Sequence, residues 1–122
     1  MFKIDTNNVI TITRGDNASF SLVMQDPNTG VIYVPQLGDV VRFSVKRKLT
    51  DTVSMFYVIL NDKNEFVLSQ GMTKNQPFGE YFYDVELTFA SGDVNTVIAP
   101  DCSSGVPMPN FIISCEVHKN AQ

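Results

Sequence analysis

The run GEYFYDVELTF, residues 79 to 89, places Tyr81, Tyr83, Val85, Leu87 and Phe89 on one side and Asp84, Glu86 and Thr88 on the other. Successive side chains of a strand point to opposite faces, so this period of two predicts a strand with one buried face. VRFSVKR, residues 41 to 47, repeats the pattern: Val41, Phe43 and Val45 oppose Arg42, Ser44 and Lys46. These two runs set the fold class, because a chain built of such segments buries its apolar side only by packing sheet on sheet.

The same period recurs along the chain. Val9 to Thr13 sets Ile10 and Ile12 on one face, and Ala18, Phe20, Leu22 and Met24 alternate with polar residues. Val31 to Val34 reads as a short strand. Val53 to Leu60 is apolar on both faces, as a central strand would be, although Ser54 leaves that open. Glu65 to Ser69, Val94 to Ala99 and Phe111 to Val117 complete the set, with Phe111, Ile113, Cys115 and Val117 expected in the core. Turn residues separate them: Asp26-Pro27-Asn28-Thr29-Gly30, Leu37-Gly38-Asp39, Asn61-Asp62-Lys63-Asn64 and Ala90-Ser91-Gly92-Asp93. Gly71 to Phe78 is a polar connection with room for one helical turn. Eight or nine short strands and no long helix predict an all-β antiparallel sandwich, a single domain over residues 1–122. Gly79-x-Tyr81 fits the corner of immunoglobulin-type sandwiches, in which the tyrosine hydroxyl bonds back to the backbone. Tyr83 stands where an antibody domain has cysteine, and the chain has no Trp, so the expectation is Ig-like and not a true antibody domain.

Composition narrows the function. The hydrophobic fraction of 43% and charged fraction of 18% are those of a globular protein, and nine Phe and four Tyr supply a core. A net charge of −4 and a pI near 4.7 oppose nucleic-acid binding, which needs a clustered basic face. The longest apolar run, Met55 to Leu60, is far short of the ~20 residues of a spanning helix. MFKIDTNNVI lacks the apolar stretch of a signal peptide, so synthesis in the cytoplasm and reduced Cys102 and Cys115 are expected.

Motifs with chemical meaning are sparse. Arg14-Gly15-Asp16 spells the integrin tripeptide and Asn17-Ala18-Ser19 the glycosylation pattern. Gly15 and Asp16 supply turn chemistry between two strands, so the stretch is expected to be a corner. The histidine, His118, is expected on the solvent face of the last strand with no nucleophile beside it. Asp84 and Glu86 are neighbours on one face, unlike carboxylates that flank a cleft. Asp26 to Gly30 lacks the bidentate Glu of a calcium loop, and the cysteine spacing matches no zinc pattern. No enzyme activity, cofactor or metal is expected. The candidate interaction surface comprises Phe56, Phe82 and the loop holding Cys102 and Met108; Gly15, Asp16, Gly79 and Tyr81 are the structural turn and corner residues.

Four segments together carry a resemblance. They are Ile10-Thr11-Ile12-Thr13-Arg14-Gly15-Asp16, the run from Gly38 to Lys46, the run from Gly79 to Leu87, and Gly92-Asp93 before Thr96-Val97-Ile98. In order and approximate spacing the chain from 9 to 100 resembles small proteins of phages and prophages of Gram-positive bacteria, and the N-terminal Ig-like domain of phage baseplate upper proteins. The loop from Cys102 to Pro109 departs from that pattern. The resemblance implies a non-catalytic structural or interaction module of the virion, in the tail or baseplate, whose partners are other virion proteins or further copies of itself. Two alternatives are a carbohydrate-binding host-recognition module and an acidic phage-encoded inhibitor of a host enzyme.

Overall fold

The computed structural model describes residues 1–115. Eleven strands and one helical turn follow one another: β1 Phe2–Ile4, β2 Ile10–Thr13, β3 Ala18–Ser21, β4 Met24–Gln25, β5 Ile32–Tyr33, β6 Val40–Lys46, β7 Phe56–Ile59, β8 Glu65–Leu68, α1 Gln70–Thr73, β9 Gly79–Thr88, β10 Val94–Ile98 and β11 Phe111–Ser114. The chain is predominantly β, as the alternation predicts. β9, which spans most of GEYFYDVELTF, is the spine of a seven-stranded sheet in which six strands run in the order β1-β2-β11-β9-β6-β7 and β10 pairs with β9 off that path. It pairs with β6 from Val40↔Thr88 to Lys46↔Phe82, with β11 at its start and with β10 at its end. The remaining strands form two ribbons, β3–β8 and β4–β5.

Alternation and register place the core. Phe43, Val45, Tyr81, Tyr83, Val85, Leu87, Ile10, Ile12, Phe111 and Ile113 are all buried on the inward face of the large sheet. From the ribbon opposite, Phe20 and Phe66 meet Phe43 with ring centroids 5.6 Å away. Apolar area removed from water on both sides of this contact holds the ribbon to the sheet. Tyr81 makes the corner bond read from Gly79-x-Tyr81: its hydroxyl donates to the Pro77 carbonyl at 2.5 Å. Tyr83 is buried, and its hydroxyl donates to the carbonyl of Asn8 in the β1–β2 turn.

Several expectations need correction. The sheets are mixed, not antiparallel throughout, because β11 runs parallel to β2 from Phe111↔Ile10 to Ser114↔Thr13. Parallel neighbours need a long crossover, and here nearly the whole chain intervenes between them. Val53 to Leu60 is not a central strand. Only Phe56–Ile59 pairs, and β7 ends the sheet path with β6 as its partner. Its two-sided apolarity reflects an edge whose outer residues, Tyr57 and Ile59, are exposed. β1 gave too short a signal to read; Phe2 secures it by stacking on Phe20 at 5.4 Å. Cys115, expected in the core, is exposed just past the end of β11, where pairing has stopped. Val117 and His118 lie outside the described residues.

Burial pushes the Tyr83 hydroxyl up to about 12, with the negative charge of Asp5 adding to the shift. The folded state therefore keeps a proton that the unfolded chain releases near 10, so stability falls as pH rises between about 10 and 12. Urea unfolding between pH 8 and 12 should show that loss, and Tyr83→Phe should flatten it.

Candidate functional site

The Arg14-Gly15-Asp16 corner is committed to the fold. The Asp16 N–H donates to the Thr13 carbonyl at 3.0 Å, and Gly15 sits at φ +85°. The Gly15 N–H donates to Oγ1 of Thr73, a buried residue of α1, at 2.8 Å. Arg14 lays its guanidinium 4.0 Å from the centre of the Phe78 ring and reaches the Gln76 carbonyl at 3.5 Å. Asp16 pairs with the Met1 ammonium. Asn17 of the sequon accepts the Gln70 N–H at 2.8 Å, holding the start of α1.

Two predictions follow from this corner. An added Cβ at Gly15 meets no atom within 4 Å, so Gly15→Ala suffers only from its backbone angle, and about 1–2 kcal/mol of unfolding free energy should be lost. Arg14→Ala, which a bare turn would tolerate, should cost about 0.5–1 kcal/mol through the lost ring contact. Urea midpoints check both.

The sequence-derived surface residues do not converge. Phe56 lies opposite Val45, an inward residue, and its ring is 6.0 Å from Phe111, so it belongs with the core. Phe82 lies opposite Lys46, on the outward face, half-buried. Register thus sends the two rings to opposite faces of one sheet. Asp84 and Glu86 share the outward face with their cross-strand partners Ser44 and Arg42. Burial, then the charge of Glu86, raises the Asp84 carboxyl, while Lys46 and Arg42 pull it down. These are mixed charges on a sheet face, not a cleft. Cys102 and Met108 are exposed in a loop braced by its own bonds: Met108 N–H to the Asp101 carbonyl at 2.9 Å and Gly105 N–H to the Cys102 carbonyl at 3.0 Å. Hydrogen bonds from Ser103 hold the Asp101 carboxyl below its usual range. The two cysteines are not bridged.

A concave feature lies elsewhere. A groove of about 520 Å³ opens between β5 with the chain after it and the β7–β8 turn. Leu22, Val41 and Leu60 are among its apolar lining, as are the more exposed Val23, Ile32, Val34, Val40 and Ile59. Val34 is 64% and Val23 67% exposed, and Leu37 in the adjoining turn is fully so. Single exposed apolar residues are ordinary, but a group of them around a groove marks an interaction surface. Both walls are fixed. The Tyr33 hydroxyl donates to Asp39, which also accepts the Gln36 N–H at 2.9 Å and the Ala90 N–H at 3.1 Å. Those bonds, the tyrosine's first, hold the Asp39 carboxyl low, and the same contact raises Tyr33. Across the groove, the Asn64 side chain donates to the Leu22 carbonyl, and Leu22 N–H returns a bond to Asn64 at 3.3 Å.

Sequence reading missed this groove, although it held a signal. Val31-Ile32-Tyr33-Val34 is an unbroken apolar run between two turns, too short to be covered on both faces. β5 is only two residues long, so the rest of the run stays in solvent.

Among the described residues no group of three or more His, Cys, Asp or Glu could hold a metal ion, and no helix is long and apolar enough to cross a membrane. The chain matches no family model, no curated protein and no solved structure.

Proposed function

We propose that the chain is a non-catalytic interaction module of Ig-like sandwich architecture that works within a phage particle, at the tail or baseplate, by contact with other virion proteins. The observation that carries this reading is the distribution of chemistry over the surface. The polar residues of the motif-rich corner are engaged by bonds within the chain, whereas the solvent-exposed Val23, Ile32 and Val34 gather at a groove with fixed walls. A protein that acts through surfaces needs such a preformed apolar patch, and a catalyst needs convergent titratable groups. The Tyr81 corner bond supports the Ig-like assignment, and the resemblance of residues 9 to 100 to phage proteins supplies the virion setting. The carbohydrate reading has less support, since the exposed ring of Tyr57 already carries the Arg42 guanidinium 4.0 Å from its centre.

The test is a double variant, Ile32→Asp with Val34→Asp, at two exposed positions where substitution should change stability by about 0.5 kcal/mol or less. Produced during infection beside the wild type, the folded variant should be depleted from purified particles. Equal incorporation would remove the groove from the account.

A further inference from the structure

We infer that the groove receives an extended segment of a partner protein in which apolar residues alternate with lysine or arginine, added as a strand along the free edge of β7; this rests on the interaction-module reading above. Three observations combine. β7 ends the sheet path, and among the described residues its second edge pairs with no strand. That edge presents backbone N–H and C=O groups to an incoming strand. Ile59 and Leu60, where β7 ends, line the groove, so a strand added there runs into it. Finally, the charged groups lining the groove are Asp39 on one wall and Asp62 on the other. Lys63, in the turn beside Asp62, is not among the lining residues. An apolar floor between two carboxylates suits an apolar side chain flanked by cations and opposes an acidic segment.

The same charges argue against a second copy. In a two-fold contact the same patch meets itself, so the carboxylates of Asp39 and Asp62 would be brought toward their own copies. The bonds that pin Tyr33 to Asp39 and Asn64 to Leu22 keep the groove open before binding, which lowers the ordering cost of association.

The test uses a fluorescent peptide of alternating valine and lysine, about eight residues long, and a twin with glutamate in place of lysine. Anisotropy titrations of the full chain should show the lysine peptide binding, more weakly at high salt, and the glutamate twin binding at least about tenfold more weakly. Asp62→Lys, at an exposed turn, should narrow or invert that preference, and Ile59→Lys should weaken the lysine peptide about tenfold or more. Equal affinity for the two peptides, binding of neither at about 1 mM, or indifference to both substitutions would overturn the inference. Concentration-dependent dimerisation abolished by Ile59→Lys would overturn it too, by assigning the groove to a second copy. These outcomes separate from the reading beneath them: presence in purified particles tests the module, and peptide preference tests its partner.

Discussion

Phe43→Ala should remove about 3–5 kcal/mol of unfolding free energy, the largest loss expected of any single truncation in this chain. Phe43 is fully buried, and its ring lies 4.9 Å from Tyr83, 5.6 Å from both Phe20 and Phe66 and 6.1 Å from Phe111. It therefore joins the large sheet to the β3–β8 ribbon and the middle of the sheet to β11. Removing it leaves a cavity lined by rigid rings, which collapse poorly. Against a total stability of about 5–15 kcal/mol, such a loss can unfold the protein at body temperature. Thermal unfolding followed by circular dichroism should show a midpoint lowered by roughly 10–20 °C. A drop of a degree or two would mean that this ring is not the centre of the core.

Asn110→Ala is the second large effect, and its cause is polar. Asn110 is buried just before β11, and its side chain stands in for a strand residue. Its Oδ1 accepts the Tyr83 N–H at 2.7 Å and its Nδ2 donates to the Tyr83 carbonyl at 3.0 Å. Its own backbone is equally engaged, with N–H donating to Tyr81 at 3.1 Å and carbonyl accepting from Ile10 at 2.9 Å. One residue thus extends the ladder where β11 begins and ties β2 to β9. Alanine keeps the two backbone bonds but leaves the Tyr83 N–H and C=O unmatched in a buried place, at about 1–2 kcal/mol each. A loss of about 2–4 kcal/mol in urea unfolding is expected. Asn110→Asp should lie near the same value, since it restores the acceptor but not the donor and buries a charge.

Much of this fold was legible in period-two alternation. Tyr81 to Leu87, Val41 to Val45 and Ile10 with Ile12 are buried on the faces their spacing assigns. The corner tyrosine was legible from Gly79-x-Tyr81 because its bond is local, four residues back. What alternation does not carry is pairing. Whether a strand is central or at an edge depends on its neighbours, and β7 looked central because both of its faces are apolar. The parallel β2–β11 pair joins segments about a hundred residues apart, and no local pattern marks it. Phe56 and Phe82 could be named as aromatics but not assigned a face until register set Phe56 opposite Val45 and Phe82 opposite Lys46. The groove was hidden for the same reason: its walls come from Ile32 to Val41 and from Ile59 to Asn64, and only tertiary packing sets them side by side.

Under the proposed function this chain works within a virus particle by contact. Mass spectrometry of phage particles purified by density gradient from an infected or induced host tests it most directly. The account predicts peptides of this chain in a fixed ratio to the tail proteins, retained after a high-salt wash. Particles that lack the chain while it accumulates in the host lysate bound to a single host protein would contradict it and favour the inhibitor reading.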